Sequence, residues 1–159
     1  MSFSPQSRVW IYQSDRKFTS GEETEILNKL TSFTKQWKAH GNELLAKAEI
    51  RYGFFIILIV DESRAGVTGC SIDSSVRLMK EIEQEYHVDL FNRFNIAYKV
   101  NGEVVVNSKE DFETLVNIKQ VTPETTVFNN MVQNLTELET KWEVPFKNSW
   151  HSTVFAHLL

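Results

Sequence analysis

A chain of 159 residues with 42% hydrophobic and 24% charged residues has the make-up of an ordinary globular protein and the length for one well-buried core. Lys+Arg of 17 against Asp+Glu of 21 leave a net charge of −4, which argues against a dedicated nucleic-acid binder with its basic face. One cysteine, Cys70, excludes an intrachain disulfide and a cysteine-cluster metal site, and the longest apolar run, Phe54 to Val60, is too short to span a membrane as a helix.

The first residues, Met1-Ser2-Phe3-Ser4-Pro5-Gln6-Ser7, lack a basic segment followed by an apolar one, so no signal peptide is expected and the expected location is cytoplasmic. Residues 8–13 read as a strand with apolar side chains on both faces, and 14–19 as a loop. Ser20-Gly21-Glu22-Glu23 fits a capping box, with Ser20 bonding forward and Glu23 reaching back. A helix then runs to about His40, with Ile26, Leu30, Phe33 and Trp37 on one face and Gly41 as a left-handed stop. Residues 44–52 alternate apolar and polar, the pattern of an edge strand with one wet face. Tyr52-Gly53 turns it into Phe54-Phe55-Ile56-Ile57-Leu58-Ile59-Val60. That run does not alternate. Its β-branched and aromatic content makes it a central strand buried on both faces, and the rest of the chain must cover it.

Residues 61–71 form a loop containing Gly66 and Gly69, and Asp73 is placed to cap a second helix whose apolar side is Ile72, Val76, Met79, Ile82 and Tyr86. Residues 94–100 read as a strand, and Asn101-Gly102 as a tight hairpin turn into residues 103–106. Ser108-Lys109-Glu110-Asp111 opens a short capped helix with Phe112, Leu115 and Val116 inward. Thr122-Pro123-Glu124-Thr125 is a turn, 126–128 an extended piece and 135–141 a short helix. Trp142, Val144, Pro145, Phe146 and Trp150 form an apolar arm.

This order predicts an α+β fold: a ferredoxin-like split βαβ with an antiparallel or mixed sheet, an added β-hairpin and a C-terminal helical and aromatic extension. The whole chain is expected to be one domain, with a core over 8–106 and an extension over 107–159 packed on the sheet; the other candidate cover is a second subunit. Helical crossovers are expected to set the first and third strands side by side and parallel. Their C-terminal ends, and the loops that follow, would then make one crevice at two helix N-termini, where free N–H groups favour anions.

The candidate binding residues of that crevice are Arg16, Lys17, Asp61, Cys70, Ser71 and Asp73, with Asp15, Glu62 and Arg64 nearby. Cys70, next to a helix start, is either a nucleophile of lowered pKa or a small buried hydrophobe. Asp61 and Glu62 with Asp15 or Asp73 have the chemistry for a hard cation, but no metal-ligand motif is present, and neither a metal nor a cofactor is expected. Trp142, Trp150 and His151 are either core or a recognition surface.

Val60-Asp61-Glu62-Ser63, Gly69-Cys70-Ser71-Ile72-Asp73, Trp142-Glu143-Val144-Pro145-Phe146-Lys147 and Ser149-Trp150-His151 resemble a family of short uncharacterised bacterial proteins, over nearly the whole chain from Val9 onward. Members are often labelled "ABC transporter ATPase", which implies nucleotide hydrolysis. None of the six glycines is followed by lysine, so the P-loop that cradles phosphates is missing and no ATP-binding residue is carried over. Residues 98–128, with their hairpin, helix and Val121-Thr122-Pro123-Glu124-Thr125-Thr126-Val127, also look like part of a small GYF-type peptide-binding domain, without its Gly-Tyr-Phe.

With no catalytic constellation in the sequence, the leading expectation is a non-enzymatic cytoplasmic binding or protein-interaction module. Its partner would be an unidentified protein or a small anionic ligand, with a homodimer in prospect and no nucleic acid or membrane insertion. The alternative is a small enzyme or anion sensor using the crevice around Cys70.

Overall fold

The computed structural model describes residues 3–155. Its elements in order are β1 (Arg8–Gln13), α1 (Ser20–Gln36), β2 (Lys38–Ala39), β3 (Asn42–Glu43), β4 (Leu45–Arg51), β5 (Phe55–Asp61), α2 (Gly69–Tyr86), β6 (Asn95–Val100), β7 (Glu103–Ser108), α3 (Lys109–Asn117), β8 (Thr126–Phe128), α4 (Leu135–Thr140), β9 (Glu143–Pro145), a 3-10 turn (Phe146–Asn148) and α5 (Trp150–Phe155). The fold is α+β with antiparallel sheets. One sheet has the order β1-β5-β4 and a second the order β7-β6-β8-β9, with β2-β3 a separate small hairpin.

β5 is buried at every position and lies between β1 and β4. Its side chains divide by parity, as the two-residue period of a strand requires. Ile56, Leu58 and Val60 pack with Ile26 and Leu30 of α1 and Met79 and Ile82 of α2. Phe55, Ile57 and Ile59 pack with Ala97, Phe128, Leu138 and Trp142. Beyond the second sheet, Ile96, Tyr98 and Val127 meet Phe112 and Val116 of α3 and Phe155 of α5. Four layers result: helices, sheet, sheet, helices.

β1 runs antiparallel to β5, pairing Arg8 with Val60 and Gln13 with Phe55, which corrects the expected parallel alignment. The reason is local. β4 is antiparallel to β5 through the Tyr52-Gly53 turn. β1 and β4 therefore run the same way, as strands joined through a helix tend to, and the tight turn makes β5 oppose both. The order β1-β5-β4 is that of the first three strands of a split βαβ. The fourth place, beside β1, is taken by residues 133–135 rather than by a strand following α2: Asn134 bridges Arg8, and the Val9 N–H donates to the Gln133 carbonyl at 3.1 Å. β6 and β7 leave the first sheet and join β8 and β9 as its cover. The C-terminal extension thus covers β5 together with the β6–β7 hairpin, not alone.

The helix starts show why neighbouring caps compete. α1 is capped by Thr19 with Glu22, one residue before the expected Ser20 and Glu23; both pairs have capping-box spacing. α2 is capped by Thr68 with Ser71, not by Asp73, which lies exposed within the first turns. α1 stops at Gln36 because Trp37 turns extended, and His40 and Gly41, both at positive φ, form the two-residue turn of the β2–β3 hairpin. Asn101 and Gly102 form the expected turn of the same kind. No helix among the described residues is long and apolar enough to cross a membrane.

Ile57, fully buried between the sheets, tests this packing. Ile57→Ala should lower the unfolding free energy by about 2–5 kcal/mol in urea titrations. Ile57→Asp should abolish the native circular-dichroism spectrum, since a lone buried carboxylate has no partner there; a soluble, folded Ile57→Asp protein would contradict the layering.

Candidate functional site

The antiparallel direction of β1 separates the residues expected to share one crevice. Arg16 and Lys17 follow the end of β1 that pairs with the start of β5, while Asp61, Cys70, Ser71 and Asp73 follow the end of β5. Each set has local partners. The Arg16 guanidinium donates to both carboxylate oxygens of Glu22 at 2.8 Å and to the Tyr86 carbonyl, the last of α2. It clamps the capping glutamate of one helix to the negative end of the other. That bond holds the Glu22 carboxyl down to about 2. The aliphatic stem of Lys17 lies over Gly53, where an added Cβ would sit 3.1 Å from Lys17 Cε.

Asp61 is a buried structural acceptor. Its Oδ2 takes the Ser4 N–H and its Oδ1 the Ser63 N–H, each at 3.0 Å. The Ser4 bond, then those from Ser63, holds its carboxyl below the ordinary value. Ser71 Oγ is consumed in the cap, accepting from the Thr68 N–H at 2.7 Å and donating to the Thr68 carbonyl at 2.8 Å.

Cys70 is exposed, the second residue of α2, and so is not the small buried hydrophobe. Beside it lies a depression of about 580 Å³ lined by Lys38, His40, Thr68, Gly69, Cys70, Ser71 and Ser74. The β2–β3 hairpin contributes Lys38 and His40. It is anchored there by the Trp37 indole, whose Nε1–H donates to the Ser71 carbonyl at 2.8 Å. Among the described residues no side chain hydrogen-bonds Cys70 Sγ, and none with unpaired polar atoms is buried in this depression. It offers an accessible thiol. One thiol equivalent should therefore react with an aromatic disulfide reagent in the native protein as it does in urea. Reaction only after unfolding would show that the thiol is shielded.

Two polar seams join the sheets, and sequence reasoning missed both. At one, Tyr52 (φ 59°) packs its ring 5.7 Å from Phe128 and 6.1 Å from Trp142, and its hydroxyl donates to Glu143 Oε2 at 2.7 Å. Lys99 Nζ lies 4.9 Å from the Tyr52 ring centroid and pairs with Glu143 Oε1. The Arg51 guanidinium lies 5.5 Å from the Trp142 ring and pairs with Glu49 and Glu139. At the other, Gln13 Nε2 donates to the Asn95 carbonyl, Asn130 Nδ2 to Gln13 Oε1, and Trp142 Nε1 to Asn130 Oδ1, at 2.9–3.0 Å. Trp142 is therefore core. Trp150 is 37% exposed, whereas His151, stacked 3.8 Å from it, is buried.

His151 Nδ1 has no hydrogen-bond partner among the described residues, and burial pushes the imidazole down from 6.5 to about 4. Between those values the unfolded chain binds a proton that the folded chain refuses, so stability falls as pH drops from 6.5 towards 4. Each unit is worth about 1.4 kcal/mol, giving a loss of about 2–3 kcal/mol. His151→Phe should flatten urea-midpoint profiles over that window; an unchanged slope would assign the loss to other groups.

The sheet edges differ in how they are guarded. The outer side of β1 is met by residues 133–135. β4 carries Lys47, Glu49 and Arg51. β9 is three residues ending in Pro145. β7 pairs with β6 over six unbroken positions and is the terminal strand of its sheet. Its centre is Val104-Val105-Val106, half-buried, without proline, bulge or lysine, the devices that normally blunt an edge. Because a two-residue turn closes the hairpin on a hydrogen-bonded pair, Glu103, Val105 and Asn107 bond to β6. Val104 and Val106 direct their N–H and C=O groups outward.

Among the described residues no three His, Cys, Asp or Glu side chains gather as a metal site. In comparisons with protein-family models, curated proteins and solved structures, nothing matches this chain.

Proposed function

We propose that this chain is a protein-interaction module rather than an enzyme, and that it binds by taking an extended segment onto the outer edge of β7. The observation that carries this reading is the contrast between edges: three are covered, charged or proline-ended, and the fourth is a valine strand that nothing among the described residues pairs with. A strand added there gains main-chain hydrogen bonds from Val104 and Val106, and alternate side chains reach the apolar margins of both cores. Val104 and Val106 border the layer between the sheets, and Val105 the layer under α3. The likeness of residues 98–128 to a small peptide-binding domain supports the same reading. So does the dispersal of Arg16, Lys17, Asp61 and Ser71 into structural contacts, which leaves the crevice alternative without its shared pocket. Nucleotide hydrolysis gains no residue, for want of a P-loop. The setting that suits the reading is the bacterial cytoplasm, where an exposed free thiol persists.

A library of random peptides displayed on phage, selected against the purified protein, is the test. Enriched peptides should be rich in β-branched and aromatic residues, and their binding should drop at least tenfold with Val106→Pro, which removes an outward N–H while leaving β6 paired. Failure to enrich any peptide, or equal binding to the variant, overturns the proposal.

A further inference from the structure

We infer that α5 is an acid-released latch: protonation of His151 frees this helix from the outer face of the second sheet while both sheets and the helices on β5 stay folded. Two side chains hold α5 in place. Of its residues only His151 and Phe155 are buried, at 2% and 1% exposure, while Trp150, Thr153 and Val154 are exposed. The Phe155 ring lies 5.1 Å from Phe112 of α3 and 6.5 Å from Phe146, and the His151 ring lies 6.5 Å from Phe112. Among the described residues, the hydrogen bonds that α5 makes outside itself are local. The Ser152 N–H and hydroxyl donate to the Ser149 carbonyl at 3.2 and 2.7 Å, and none crosses to α3 or the sheet. Six residues are too few to hold a helix unaided, so docking rests on two rings, and one of them titrates.

The docked place suits only the neutral ring. An imidazolium carries two N–H donors and a charge, and Nδ1 has no partner there. The titratable and charged side chains on the surrounding elements are Lys109, Glu110, Asp111 and Glu113 of α3, Lys147 of the 3-10 turn, and Tyr98 of β6. Lys147 pairs with Glu124, the Tyr98 hydroxyl accepts from Asn107, and Lys99 pairs with Glu143 at the seam; Glu103 is exposed at the hairpin turn. Burial alone, with no charge from these neighbours, lowers the affinity of His151 for a proton. The released helix therefore binds a proton that the docked helix refuses. Docking is held in full above pH 6.5 and weakens as pH falls towards about 4. The same linkage acts on unfolding of the whole chain, but release parts only two rings from their neighbours, whereas unfolding also takes apart the layers on both sides of β5. The opening of lower free energy is populated first. It uncovers Phe112 and Phe146, both fully buried while α5 is docked.

Hydrogen exchange read at single amides by magnetic resonance, from pH 6.5 down to about 4 and corrected for the exchange rate of free peptide, tests the latch. In the full wild-type chain the Val154 and Phe155 amides should be at least tenfold less protected than those of Ile57 and Leu58 in β5 at each pH. Their protection should fall about tenfold per pH unit across that window. His151→Phe and His151→Leu, apolar and without a proton to bind, should each make the protection of α5 independent of pH, and either variant suffices. Wild-type α5 amides protected as strongly as those of β5 at every pH overturn the proposal, because opening is then global. Weak protection that does not change with pH overturns it too, as simple fraying of a short helix. A slope kept in the variants assigns the response to another group and overturns the role of His151. The wild-type comparison of α5 with β5 needs no variant and decides by itself whether the release is local.

Discussion

The structure depends on a strand with no wet face. Every side chain of β5 is apolar through Val60, and each contributes about 1.5–3 kcal/mol only if covered. A strand presents alternate residues to opposite sides, so the molecule must supply two covers. Helices α1 and α2 fill one side with Ile26, Leu30, Met79 and Ile82. Two helices are too few for the other side as well, and a second sheet supplies it through Ala97, Phe128 and Trp142. That sheet has its own outer face, which draws in α3 and α5. The four layers follow as successive answers to one burial problem.

Apolar contact between two sheets does not fix how they sit. The polar seams do. Tyr52, Glu143 and Lys99 tie the β4–β5 turn to β6 and β9, and Gln13, Asn130 and Trp142 tie β1 to the loop before α4. A tyrosine at positive φ is costly for a bulky side chain, and its position is held by three aromatic neighbours and the bond to Glu143. Fully satisfied networks of this kind specify one arrangement where apolar packing alone would accept several.

Polar residues of the loops have structural partners of their own. Arg16 joins two helix ends, Asp61 gathers the N-terminal segment, and Ser71 closes a cap. Among the described residues, no strand pairs with the outer side of β7.

How much of this was legible in the sequence depends on range. The unbroken run from Phe54 to Val60, the alternating β4, the Ile26 and Leu30 stripe, the Asn101-Gly102 turn and the Ser108 cap were all readable, because periodicity and turn chemistry are written within a few residues. Cap positions slipped where Thr19 and Ser20 offered the same box one residue apart. The direction of β1 against β5, the departure of β6 into a second sheet, the scattering of Arg16 from Cys70 and the openness of β7 were decided only by tertiary structure. Each depends on which of several apolar strands, some eighty residues apart in the chain, gains most by lying together. That choice is a sum of burial over the whole molecule, with no local pattern to carry it.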